Sequence, residues 1–236
     1  MPTSKQLIST LREELTKHAD PEVKEGAAAY MRNQFEFLGV KTPLRRELSK
    51  SLIMQSKDLS ERELVALCKD LWVQPEREFQ YVACDLLAKN AKRLSPTYVL
   101  REAPWFIKNK SWWDSVDSVR KSLEVVVSAN PELKAEMEKW IVSKNIWMVR
   151  SALIHQLTLG SKTDAKLLFR FCEIQAGETE FFIAKAVGWA LRSYSYVDSN
   201  AVKKFVKAHP ELTPLAKREG LKALIRKSQS QSSNRM

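Results

Sequence analysis

The stretch Ser111–Lys121, SWWDSVDSVRK, decides the fold once it is set beside three others. Trp112, Val116, Val119, Leu123, Val126 and Val127 recur at i, i+4, i+7 and i+11 onward, which is the buried stripe of a helix. Ser111 is of the type that caps a helix, and Asp114, three residues on, can complete a capping box. Trp113 and Asp117 are spaced i, i+4 and lie roughly 100° round from the stripe, so they share a second face, continued by Arg120 and Glu124. Aligning Trp113 with Phe79 in REFQYVACDLL, Trp147 in NIWMVRSALIH and Phe182 in EFFIAKAVGWA gives spacings of 34, 34 and 35 residues. A constant period of that length marks stacked helix pairs. The expected fold is therefore all-α, a curved solenoid of HEAT-like two-helix repeats with one helix of each pair lining a concave basic surface.

The rest of the chain agrees. Apolar residues keep helical spacing between short breaks: HADPE (18–22), KTP (41–43), VQPE (73–76), LSPT (94–97), ANPE (129–132), LGSKTD (159–164), AGET (176–179) and AHPELTP (208–214). That predicts about a dozen helices. With no long linker, residues 1–227 are expected as a single domain, and the polar end SQSQSSNRM, residues 228–236, as a disordered tail.

With 44% apolar residues, six glycines and nine prolines in 236, the composition suits a helical core. The first twenty residues mix charges among their apolar positions, so neither a signal peptide nor a membrane span is expected. Cys68, Cys84 and Cys172 are far apart on apolar-periodic segments and are expected as buried free thiols. Three histidines without metal-ligand spacing predict no metal site. His155 reads as a packing histidine.

The formal net charge is +11, and from residue 201 onward nine Lys and Arg face two acids. Such a surface suits a polyanion, most often nucleic acid. An acid beside phosphates opposes that binding, so Asp117 is either part of a solvated flank or present for chemistry. In EFFIAKAVGWALRSY the core stripe is Ile183, Val187, Ala190 or Leu191, and Tyr194, which leaves Phe182, Lys185, Trp189 and Arg192 on a basic-aromatic face. Trp189 has two readings: a ring for stacking or sugar contact, or a wedge between helices. Gly188, costly in a helix interior, suggests close approach of another backbone. In NIWMVRSALIHQL, Ile146, Val149, Leu153 and Leu157 form the core stripe; Trp147 and Arg150 lie off it, and Arg150 suits either a phosphate or a plain salt bridge. Tyr30, on an alanine-rich face, suits packing or a third ring at a site.

Six collinear blocks carry a closer resemblance. YMRNQFEFLGVKTPLRRE (30–47), WVQPEREFQYVA (72–83), KSWWDSVDSV (110–119), NIWMVRSAL (145–153), FFIAKAVGWALRSY (181–194) and ELTPLAKREGLKAL (211–224) closely resemble the AlkD-type DNA alkylpurine glycosylases over residues from about 20 to 226. The resemblance implies a HEAT-like solenoid that cradles double-stranded DNA and hydrolyses the N-glycosidic bond of cationic N3- and N7-alkylated purines. It implies no metal or organic cofactor, and action without flipping the base. Carried over by position, the catalytic aspartate falls on Asp117, the site tryptophans on Trp113 and Trp189, the arginine on Arg150 and the tyrosine on Tyr30. Lys185, Arg192, Lys217 and Arg218 are then candidate phosphate contacts, alongside Arg150. A monomeric, cytoplasmic, nucleoid-associated enzyme of bacterial type, off the membrane, is expected. The competing expectation is a helical-repeat protein that binds DNA without cutting any bond.

Overall fold

A computed structural model of the chain describes residues 3–233, with side chains through residue 225. Among the described residues there are fourteen α-helices and no strand beyond one isolated bridge between Glu36 and Glu76. They are α1 (Ser4–Lys17), α2 (Pro21–Tyr30), α3 (Thr42–Leu48), α4 (Lys50–Gln55), α5 (Glu61–Trp72), α6 (Arg77–Lys89) and α7 (Ala103–Lys108), followed by α8 (Trp113–Ala129), α9 (Lys134–Ile141), α10 (Ile146–Ile154), α11 (Ala165–Ile174), α12 (Phe181–Tyr194), α13 (Ser199–Ala208) and α14 (Pro214–Ser233). Each break read from the sequence contains or adjoins a boundary between two of them, and the all-α expectation holds. The disordered tail expected at 228–236 begins within α14, which continues to Ser233, and residues 234–236 lie outside the described residues. None of the helices is long and apolar enough to cross a membrane.

Packing gathers the helices into two compact units that meet in sequence at Asn109 and Lys110. In the first, α5 and α6 pack as a pair, and Leu64, Leu67, Leu71, Trp72, Phe79, Leu86, Leu87 and Phe106 are almost wholly buried. Each of these large side chains contributes about 1.5–3 kcal/mol on leaving water. Capping boxes at Thr3 with Gln6 and at Ser60 with Glu63 start α1 and α5. In the second unit α10 is central, packed against α8, α9, α11 and α12, and α12 in turn lies against α14.

The 34-residue period reappears as hydrogen bonds. In the first unit Ser95 donates its backbone N–H and hydroxyl to Glu61, 34 residues earlier, at 3.1 and 3.0 Å. In the second, Thr158 donates its N–H and hydroxyl to Glu124, again 34 residues earlier, and Gln175 donates to the Ile141 carbonyl at 2.7 Å over the same separation. A carboxylate on one repeat thus ties down the turn of the next, as nearest-neighbour coupling in stacked repeats requires.

Four local expectations are corrected. The N-cap of α8 is Trp112, not Ser111, with extended backbone and no capping side chain; Asp114 sits buried in the first turn, where an anion suits the helix dipole. Trp112 itself is only half-buried. Arg120 and Glu124, placed on an open face, are 6% and 8% exposed and pair at 2.8 Å: their helix is covered on that side too. Trp147, placed off the core, is buried because it meets Phe182 at 5.0 Å and Trp112 at 5.8 Å between ring centroids. All three cysteines are buried free thiols, and His155 is buried, its Nδ1 2.6 Å from the Ala152 carbonyl.

Candidate functional site

The second unit brings together residues that the sequence sets far apart. A pocket of about 300 Å³ is lined by Trp113 from α8, Arg150 from α10, Phe182, Lys185, Trp189 and Arg192 from α12, and Glu219 from α14. The α12 residues are spaced so that they project on one side of that helix, while Ile183, Val187, Ala190 and Leu191 bury the other. Trp113 and Trp189 are both half-exposed, as rings must be to meet a ligand.

Asp117 lies one turn along α8 from Trp113 and is held from α10. Arg150 donates Nε to Oδ1 and Nη2 to Oδ2, both at 2.7 Å, the two-pronged geometry that makes Arg–carboxylate pairs strong. Its Nη1 donates to the Phe182 carbonyl at 2.7 Å, and its guanidinium carbon is 5.9 Å from the Trp189 ring centroid. Three of its five N–H groups are therefore committed. Of the two roles expected for Arg150, the structure displays the salt bridge; the side chain is 6% exposed and fixes Asp117 in place. Burial raises the Asp117 carboxyl above its usual range, against Arg150, which hydrogen-bonds and neutralises the ionised form and pulls it down; Arg120 adds a smaller pull the same way.

Across the pocket stands a second carboxylate that the sequence reading passed over. Glu219 lies 2.7 Å from Arg192, 3.5 Å from Lys185 and 3.8 Å from Lys222. Burial pushes its carboxyl up, but the three cations outweigh that and hold it below the ordinary glutamate range. The signal that points to it is Gly188. A Cβ there would come 2.6 Å from Glu219 Cβ and 3.0 Å from the Ala216 carbonyl, and one at Gly220 would come 3.1 Å from Leu191 Cβ. Glycine on both sides of the crossing lets α12 and α14 touch backbone to backbone, as expected from Gly188.

The remaining candidates lie elsewhere. Lys217 donates from Nζ to the Pro210 carbonyl at 2.8 Å, and Arg218 is exposed on α14; neither lines the pocket. Tyr30 ends α2 in the first unit and is 70% exposed. No group of histidine, cysteine and acid side chains suited to a metal occurs among the described residues.

Comparisons with known proteins give this geometry a context. Residues 11–224 match a family described as DNA alkylation repair enzyme. Among solved structures, a predicted DNA alkylation repair enzyme from Enterococcus faecalis is 36% identical, with a TM-score of 0.82, and the match covers 86% of this chain and 95% of that one. No curated protein matches.

Proposed function

The chain belongs to the DNA alkylation repair enzyme family, and from that premise we propose that it is a monofunctional DNA glycosylase that releases cationic N3- and N7-alkylated purines from duplex DNA. The observation that carries the reading is the Asp117–Arg150 pair beside the pocket that Trp113 and Trp189 line. A carboxylate fixed through both oxygens beside the pocket can oppose a cation that develops there, a task that binding alone does not set.

The chemistry follows from what an alkylated purine lacks. Its ring already carries positive charge, so when the C1′–N bond breaks the electron pair goes to the base, which leaves neutral without a proton from an acid. The positive charge passes to the deoxyribose as an oxocarbenium ion. Asp117, fixed through both oxygens, opposes that charge, and water adds its oxygen to C1′ while its proton passes to the carboxylate or to solvent. Arg150 keeps Asp117 ionised and aimed. One carboxylate suffices, unlike the two of ordinary glycosidases. Trp113 and Trp189 present ring faces to the sugar, worth roughly 0.5–2 kcal/mol each as the cation develops. Pocket walls of this kind read sugar and backbone rather than a base edge, which suits excision of a base left in the stack.

The test is release of 3-methyladenine and 7-methylguanine from methylated duplex DNA. Wild type is expected to release both and Asp117→Asn to lose activity by two orders of magnitude or more. No release by wild type, with binding retained, returns the protein to the class of helical-repeat DNA binders; full activity in Asp117→Asn removes that residue from the reaction.

A further inference from the structure

Glu219 is engaged by three cations, and the fold goes to some length to place it. Gly188 and Gly220 thin the α12–α14 crossing until Glu219 Cβ comes within 2.6 Å of where a Cβ on residue 188 would stand. Lys185 and Arg192, seven residues apart on α12, are about two turns or ~10 Å apart along the axis, and Glu219 reaches both, at 3.5 and 2.7 Å. Lys222, one turn further on α14, approaches the same carboxylate oxygen as Lys185, at 3.8 Å. The carboxylate is largely buried, while Lys185 and Lys222 are 42% and 45% exposed. Three cations gathered round one acid leave a net charge of about +2 on the pocket's edge. Without the acid, three like charges at this spacing repel one another and turn out into water.

We propose that Glu219 is a positioning residue that gathers Lys185, Arg192 and Lys222 into one binding site for a single DNA phosphate at the edge of the pocket. The inference rests on the reading of the pocket as the DNA site and adds to it a third cation and the acid that organises all three. Glu219 does not touch the phosphate; it orients the donors that do, as a carboxylate behind a metal-binding histidine orients that ligand. The consequence runs against simple charge counting. Removing the negative charge makes the protein more basic and yet costs it a phosphate contact.

Binding to an undamaged duplex, followed by fluorescence anisotropy over a range of KCl concentrations, separates the two effects. Each phosphate neutralised adds about 0.9 to the slope of log affinity against log salt. Glu219→Gln is expected to lower that slope by about one contact despite its added positive charge, and Lys222→Gln to lower it by a similar amount. The double variant is expected to lose no more than either single change, because the site is shared. A slope that is unchanged or steeper in Glu219→Gln shows an acid that merely opposes DNA and overturns the proposal, as do decrements that add in the double variant. Thermal unfolding accompanies each measurement. Should Glu219→Gln not fold, Lys185→Gln, Lys222→Gln and their combination take its place: non-additive decrements support the shared site and additive ones overturn it. None of these readouts needs base release, so a wild type that excises nothing ends the catalytic reading and leaves the phosphate site to be judged by its own slopes.

Discussion

Arg150 and Asp117 act on each other in opposite senses to their surroundings: burial drives the Asp117 carboxyl towards protonation, and the two 2.7 Å bonds from Arg150 drive it back. The balance leaves the carboxyl above its ordinary 3.8. Under the proposed mechanism only the ionised form assists, so the single-turnover rate of base release is full at neutral pH and falls as pH drops through a value above 3.8.

Replacing Arg150 removes the larger pull and leaves the push. The acid limb in Arg150→Gln is expected to move up by about one to three pH units. Arg150→Lys keeps the charge without the paired donors and should fall between the two. Breaking a buried pair costs about 3–5 kcal/mol of stability, so pH profiles are taken well below the melting temperature of each variant. A limb that stays put in Arg150→Gln excludes Asp117 as the group being titrated.

Gly188 and Gly26 make a pair of opposite sign. A methyl at 188 meets Glu219 Cβ at 2.6 Å and the Ala216 carbonyl at 3.0 Å, whereas nothing lies within 4 Å of one at Gly26 in α2. Gly188→Ala is expected to destabilise by about 1–3 kcal/mol through overpacking, and Gly26→Ala to stabilise by about 0.5–1 kcal/mol through helix propensity. Urea titration of both variants checks this; a neutral Gly188→Ala shows that α14 can move aside without loss.

Much of this was legible in the sequence because helical periodicity and proline-bearing breaks act locally. The stripe from Val116 to Val127 is buried as expected, and the 34-residue period returns in the bonds from Ser95 to Glu61 and from Thr158 to Glu124. What the periodicity hides is the partner. Arg120 and Glu124 look solvated on a wheel of α8 because that wheel cannot show the repeat that covers their side. Trp147 looks spare for the same reason, its companions Trp112 and Phe182 being 35 residues before and after it. Glu219 was invisible as a site residue: two of the cations that give it meaning, Lys185 and Arg192, sit on α12, and only the glycine at 188 hinted that α14 would come so close.

Glu124 should prove a structural keystone, distinct from Asp117, the acid proposed for the reaction, seven residues before it. It accepts from Arg120 Nη1 at 2.8 Å and from the Thr158 N–H at 2.8 Å while only 8% exposed. Glu124→Ala strands the Arg120 charge in the interior and is expected to cost about 3–5 kcal/mol. Thr158→Val, which removes one hydroxyl donor, should cost about 1 kcal/mol. Denaturation midpoints measure both, and base release by the folded fraction should be unchanged in Thr158→Val.

His155 gives the fold its own pH sensitivity, separable from that of the reaction. The ring is wholly buried, and burial depresses its pKa from 6.5 to about 4, with the bond to the Ala152 carbonyl pulling weakly the other way. In the unfolded chain it protonates near 6.5, so between pH 6.5 and 4 the unfolded state binds the extra proton, and stability falls as pH falls through that window. Below about 4 both states are protonated and the loss is complete. The depression corresponds to about 3 kcal/mol at 1.36 kcal/mol per pH unit. His155→Gln keeps a donor for Ala152 and does not titrate there. The stability of wild type relative to this variant, from urea titrations at stepped pH, is expected to drop by about 3 kcal/mol between pH 7 and 4. A difference that stays flat across that range means the ring is reached by water and protonates in place.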